Sequence, residues 1–398
     1  MLVWAREQAG YSLEQAAGRL KQPLEKLASW EEGKARPSLR QAEHLAAVYH
    51  RPFTGFYLKE PPITVPLASE YRRLPGVTPG KETPGLRLAL RELRRRQAIA
   101  LELMEENEDE VPRFTLTACA GEPPEAVGAR LRERLGVSLD TQRAWRDSCQ
   151  AWRVWRDHAE ALGLLVFQVP GVPLPEMRGI ALFRDPLPVI GINSHDHIAS
   201  RPFTLLHEVA HLMLQHGGDE RVAAEETGPP ARVAELERFA DAVAAATLMP
   251  ATALLAEPLI RGHGASQEWT ADDVVRLART YRVSPVAMLT RILTLKLTSW
   301  DFYRRWRAEW ERQWENRPKH EATGGPSRVE TLLSRVGPSF AALILDSLER
   351  DLISPLAAAD AFNLKFHHFG ALKRELCAPQ RGVLHAICEA TEDRVQTC

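Results

Sequence analysis

The sequence predicts a mainly helical α+β protein of more than one domain. Three observations point that way. Apolar side chains recur at helical spacing along most of the chain. Only three short runs, LGLLVFQV (162–169), GIALF (179–183) and PVIGI (188–192), read as strands of one small sheet. Finally, 398 residues correspond to roughly two to three domains at about 150 residues each. The expected divisions are a helical bundle (1–60), a charged linker helix region (61–120), the domain with the sheet (121–320) and a small C-terminal helical region (327–398).

In chain order, the first 60 residues read as short helices. Ser12 is a suitable N-cap for LEQAAGRL, Pro23 suits the first turn of PLEKLASWEEGK, Gly33 ends it, and Pro37-Ser38 opens a fourth helix. Pro61-Pro62 and Pro66 mark a break. Residues 72–96 then hold eight bases (Arg72, Arg73, Lys81, Arg87, Arg91, Arg94, Arg95, Arg96) against Glu82 and Glu92, a net of +6. Six acids with no base follow between Glu102 and Glu110. A charge-segregated helix is the expectation, read as a solvated linker rather than as a nucleic-acid contact. Helices are expected over 125–163, from Phe203 to His216, from Val233 to Leu248, and onward to about 317. Phe302, Trp306, Trp310 and Trp314 share one helix face, expected to pack inward rather than to bind a base. Gly324-Gly325-Pro326 reads as a linker, and a helical tail over 327–376 is expected to pack.

Composition excludes several classes. With 44% hydrophobic and 26% charged residues, the chain has enough apolar material for real cores and is not disordered. Lys plus Arg (51) nearly balances Asp plus Glu (52), which excludes a uniformly basic nucleic-acid coat. Five scattered cysteines without a C-x-x-C pair argue against a cysteine metal site or disulfide framework. The longest uncharged apolar stretch, Ala242 to Ala256, is 15 residues and contains Pro250, too short to span a bilayer. MLVWAREQAG lacks a signal-peptide pattern. A soluble, cytoplasmic location without a membrane partner is expected.

The most specific signal is RPFTLLHEVAHLML (201–214). His207 and His211 lie four apart, so a helix sets both imidazoles on one face, where they can share a Zn²⁺ ion. In H-E-x-x-H sites the glutamate, here Glu208, serves as general base. The third ligand is expected 26 residues on, in ELERFADAVAAATLMP. There Glu237 would bind the metal, and Asp241, one turn later, would orient a ligating imidazole. Glu235, His195, His197 and His216 are rival ligands; a loop position is the plainer reading of the histidines. Two histidines and one glutamate leave a fourth position open, the catalytic arrangement. Peptide-bond hydrolysis is the expected chemistry. An edge strand beside the metal helix is a candidate for holding an extended peptide.

SLEQAAGRLKQPLEKLASWEEGKARPSLRQAEHLA has the rhythm of a helix-turn-helix. Its second helix would enter the DNA major groove, with Lys26 and Ser29 toward base edges and Lys34, Arg36 and Arg40 toward phosphates. Nine bases against seven acids over residues 1–60, with Glu31 and Glu32 on the reading helix, imply modest affinity unless the protein forms a homodimer. A protein-interaction use of the module is the alternative.

These segments together resemble the ImmA/IrrE family of zinc metallopeptidases fused behind an XRE-type helix-turn-helix. The carriers are WAREQAGYSLEQAA, WEEGKARPSLRQAEHLA, RPFTGFYLKEPP and EYRRLPG, then the LGLLVFQV to PVIGINS strands, FTLLHEVAHLML and ERFADAVAAATLMP. The resemblance implies zinc held by His207, His211 and Glu237, with Glu208 as catalytic base. Asp241 matches a position that is often Asn or Asp. It further implies a regulator, acting in stress responses, that cleaves a separate XRE-type repressor. Two alternatives stay open: a DNA-binding regulator whose zinc site is sensory or structural, and an antitoxin-like module without proteolysis.

Overall fold

The computed structural model describes residues 1–62, 82–107, 109–217, 230–263, 268–315 and 327–377. Arg72, Arg73, Lys81, EYRRLPG and Gly324-Gly325-Pro326 lie outside the described residues, as does the Trp314 side chain. The chain divides into two compact units: Met1–Arg95 with Val169–Met177, and Arg96–Gln168 with Arg178–Cys398. No helix among the described residues is long and apolar enough to cross a membrane.

The first unit opens with α1 (Leu2–Ala9), α2 (Leu13–Leu20), α3 (Leu24–Glu31) and α4 (Leu39–Val48). Helices this short are marginal alone, so caps and a shared core hold them. Ser12 and Ser38 each form a capping box, with Gln15 and Gln41 respectively. Ala5, Ala9, Ala16, Ala17, Leu20, Leu27, Trp30, Leu45 and Tyr49 form the core. The small alanines of α1 and α2 let the helices approach closely. The second half of the unit is the start of α5 (Pro84–Glu106), whose first turn is tied down by Glu176: the Thr83 N–H and hydroxyl donate to its two carboxylate oxygens at 2.8 and 2.6 Å. One face of α5 is buried (Leu86, Ala89, Leu90, Leu93, Ala100, Leu103). The helix is therefore amphipathic and packed, not solvated all round, and its arginines (Arg87, Arg91, Arg94, Arg95, Arg96) are themselves half-buried.

The second unit carries a three-stranded sheet, β1 (Leu165–Val169), β2 (Gly179–Leu182) and β3 (Val189–Asn193), in the order β1-β3-β2. β2 and β3 are antiparallel, with Gly179 opposite Ile192 and Leu182 opposite Val189. Helices α6 (Pro124–Leu135), α7 (Leu139–Ala144) and α8 (Ser148–Glu160) precede the sheet, and α9 (Arg201–His216) and α10 (Pro230–Leu248) follow it. α9 is buried on nearly every side, as a helix apolar all round must be. Gly128 marks the crossing of α6 and α10: a Cβ there would lie 2.7 Å from Ala246 Cβ and 2.9 Å from Thr247 N. The remaining helices, α11 (Ala251–Leu255), α12 (Pro258–His263), α13 (Ala271–Thr280), α14 (Pro285–Thr294) and α15 (Trp300–Glu315), extend the same core. On α15, Phe302 is buried, Trp306 packs against the core and Trp310 stacks on Trp306 at 5.0 Å. Trp300, at the start of α15, is exposed.

The C-terminal helices α16 (Arg328–Val336), α17 (Pro338–Glu349), α18 (Pro355–Phe362) and α19 (Phe369–Leu376) pack on this unit. A buried ion pair anchors them. Arg156 Nε lies 3.2 Å from Glu160 Oε1; Arg156 also donates to the Ser334 carbonyl at 2.8 Å and to that of Val166. Ser339 Oγ donates to the other Glu160 oxygen at 2.5 Å, and Phe340 meets Phe167 edge to face at 5.4 Å. Burial pushes the Glu160 carboxyl upward, against the pull of Arg156 and Ser339. Gly337 (φ 81°) leaves room for Arg156 and Glu160, which any side chain there would meet.

Candidate metal centre

The site forms where α9 and α10 lie side by side. One turn of α9 separates His207 from His211, and their Nε2 atoms come within 2.9 Å. From α10, Glu237 places Oε2 3.3 Å from His207 Nε2 and Oε1 3.8 Å from His211 Nε2. One ligand atom from each of the three residues lies within 4.8 Å of the others. Zinc–nitrogen distances of about 2.0–2.1 Å imply roughly 3.3 Å between neighbouring corners of a tetrahedral site. The observed spacings bracket that value, so the donor set fits a single zinc ion.

The electrostatics agree. Burial disfavours a charge on His207, yet hydrogen bonds to Asp241 and Glu237 and the nearby charge of Glu208 push its pKa up to about 10. Three carboxylates around two imidazoles create a pocket that draws in a cation. Asp241 Oδ1 lies 2.8 Å from His207 Nδ1, so an Nδ1–H donated to Asp241 leaves the Nε2 lone pair facing Glu237 and His211. Glu208, next in chain to His207, is 7% exposed.

Residues 159–293 match the IrrE N-terminal-like domain of the Peptidase_M78 family. No curated protein matches the chain. The match covers β1 to β3 and both site helices, and supports a metallopeptidase-type fold and the ImmA/IrrE resemblance over this segment. It does not reach residues 1–60.

The rival ligands of this IrrE-like domain stand elsewhere. Glu235 is exposed on α10. His216 contacts the rings of Phe114 and Phe183 edge-on. His195 and His197 belong to the turn after β3: the His195 N–H donates to Asn193 Oδ1, and His197 Nδ1 accepts from the Ala199 N–H. None joins the metal-ligand cluster found among the described residues. The candidate peptide-holding strand also differs from expectation. β2 is the edge strand nearest α9, but all four of its residues are buried rather than open.

Sequence reasoning passed over a hydrogen-bonded cluster between the turn after β3 and the first turn of α9. Asp196 is buried and accepts from Thr204 Oγ1 at 3.0 Å and from Arg178 Nη1 at 3.2 Å. Arg201 bridges the Asp196 and Ser194 carbonyls and Gln168 Oε1. A lone aspartate between two loop histidines carries no local signal, because its partners are set by the fold.

In the N-terminal helices, Lys26, Lys34, Arg36 and Arg40 are exposed. Lys26 Nζ lies 5.4 Å from the Trp30 ring centre, and Lys34 pairs with Glu32 at 2.6 Å. Ser29 Oγ donates to the Lys26 carbonyl at 2.7 Å, so its hydroxyl is turned onto its own helix. Glu31 differs from the reading helix acid the sequence implied. It forms a two-pronged pair with Arg6 at 2.8 and 3.0 Å and is almost fully covered. Its charge is thereby neutralised inside the bundle.

Proposed function

We propose that this chain is a zinc-dependent endopeptidase and transcriptional regulator, with the catalytic centre at His207, His211, Glu237 and Glu208. The observation that carries the reading is the convergence of His207, His211 and Glu237 within 4.8 Å, beside a buried glutamate and behind an orienting Asp241. A bound zinc ion would supply Lewis-acid polarisation of the scissile carbonyl and acidify a water molecule. The chain's own groups do the rest. His207, His211 and Glu237 hold the ion. Asp241 keeps the His207 ring in the tautomer that presents Nε2. Glu208 takes a proton from the attacking water at its carboxylate and passes it to the leaving amine nitrogen.

The regulatory half of the proposal rests on the N-terminal helices. Their successive short helices α2 and α3, the internal neutralisation of Glu31 and the exposed Lys26, Lys34, Arg36 and Arg40 suit DNA binding, and homodimerisation would raise its strength. The proposed substrate is a repressor-type protein partner of the XRE class, cleaved in response to stress. This last step follows from the family resemblance alone.

Metal content by mass spectrometry tests the centre: about one zinc per chain is expected, lost in His207→Ala and in Glu237→Ala. Glu208→Gln should keep zinc and trap uncut substrate for identification. A fully active Glu208→Gln protein overturns the mechanism. A salt-dependent gel shift tests the DNA half, and absence of binding at low salt would favour a protein-interaction module.

A further inference from the structure

We propose that Gly179, with the Arg178–Asp196–Thr204 clip beside it, is a positioning element that sets the Glu208 carboxylate. The proposal rests on the reading of Glu208 as the general base. Gly179 opens β2, opposite Ile192 of β3. A Cβ at this position would lie 2.6 Å from Thr204 Cγ2, 2.7 Å from Glu208 Oε1 and 2.9 Å from Glu208 Cγ. Each distance is well inside van der Waals contact, and two of the three atoms belong to Glu208. The backbone of residue 179 is thus one wall of the space that the carboxylate occupies. Glycine is required here for space, and its φ is not left-handed.

The height of α9 against β2 is fixed at the same point. Thr204 lies one turn before Glu208 on α9, so the two side chains share a face. Thr204 Oγ1 donates to Asp196 Oδ2 at 3.0 Å, and Arg178, the residue before Gly179, reaches Asp196 Oδ1 at 3.2 Å. The Arg178 carbonyl in turn accepts from the Asn193 N–H at 2.8 Å. One buried carboxylate therefore ties the first turn of the metal helix to the residue that precedes the glycine. A general base works only within hydrogen-bond reach of its proton, and a displacement of about 1 Å can cost two orders of magnitude in rate. Gly179 lets β2 come close enough to confine Glu208, and the clip keeps that approach in register. Among the described residues, the hydrogen bonds of the clip reach none of the three proposed metal ligands.

The test uses the full-length, zinc-loaded protein and two readouts: zinc affinity by competition with a chromophoric chelator, and affinity for a peptidyl hydroxamate, whose zinc-binding group also bonds to a neighbouring carboxylate. Gly179→Ala is expected to bind zinc like the parent but the hydroxamate about tenfold more weakly, the size of one lost hydrogen bond to a charged group, as Glu208→Gln should. Adding Thr204→Ser to Gly179→Ala removes the methyl group nearest the new Cβ but leaves Glu208 Oε1 and Cγ against it, so most of the loss should persist. If Gly179→Ala does not fold, Asp196→Asn breaks the clip without adding volume and should show the same pattern. Hydroxamate binding unchanged in Gly179→Ala, or fully restored by Thr204→Ser, overturns the positioning role while leaving the peptidase reading intact. A parent protein that binds zinc but no hydroxamate overturns the peptidase reading, and this proposal with it.

Discussion

Removing the Asp241 carboxylate isolates the interaction that aims His207. Its Oδ1 lies 2.8 Å from His207 Nδ1, in the range of a charge-assisted hydrogen bond. Such a bond to a charged group contributes about 1.5–3 kcal/mol. Asp241 is 52% exposed, so water partly replaces it when it is gone, and the lower end applies. About 1.5 kcal/mol corresponds to roughly a tenfold weaker zinc Kd for Asp241→Ala, within the range found for partners behind a ligand. Asp241→Asn keeps an acceptor oxygen without the charge and should lose only about threefold. The assay is competition with a chromophoric chelator at constant pH, with His207→Ala as the control that removes a ligand outright. An unchanged Kd in Asp241→Ala would refute the claim that Asp241 orients His207. A loss as deep as that of His207→Ala would refute it too, since Asp241 would then be a ligand itself.

Further outcomes follow from the geometry. In the metal-free protein His207 is held protonated with a pKa raised to about 10, so its stabilising charge is fully present below about pH 6.5, the unfolded value, and is lost as pH rises through about 10. The thermal midpoint of the apo protein should therefore fall over that window, and less so in Asp241→Asn. Zinc binding near pH 8 should release about one proton, read by calorimetry in two buffers of different ionisation enthalpy. Glu160→Ala strands the buried Arg156 charge and should cost about 3 kcal/mol, measured by denaturant unfolding; Arg156→Met with Glu160→Leu should recover most of it. Gly128→Ala would ordinarily favour a helix by up to about 1 kcal/mol, but with Ala246 Cβ at 2.7 Å from the new atom it should destabilise by about 1–3 kcal/mol.

The chain's local chemistry determined a good deal of the site. H-E-x-x-H on a buried, Pro202-initiated helix forces His207 and His211 onto one face whatever surrounds them, because 3.6 residues make a turn. The E-x-x-x-D spacing of Glu237 and Asp241 does the same for α10, so the candidate ligand and the carboxylate that reaches His207 Nδ1 were both legible in the spacing. The three strands and the capped N-terminal helices were legible for the same reason: their signals lie within a few residues. Tertiary structure decided what local spacing cannot reach. Glu237 meets the histidines only because α10 crosses α6 at Gly128 and lies along α9. The arginine-rich helix read as a solvated linker because its bases and acids are segregated along the chain; burial of Leu86, Leu90 and Leu93 shows that one apolar stripe sufficed. Glu31 read as an exposed acid on the reading helix, yet Arg6, 25 positions away, had already claimed it. The need for glycine at 179 arises from a contact with Glu208, on a different element. Periodicity reports which face of an element is apolar; which atoms meet across two elements depends on how the whole core closes.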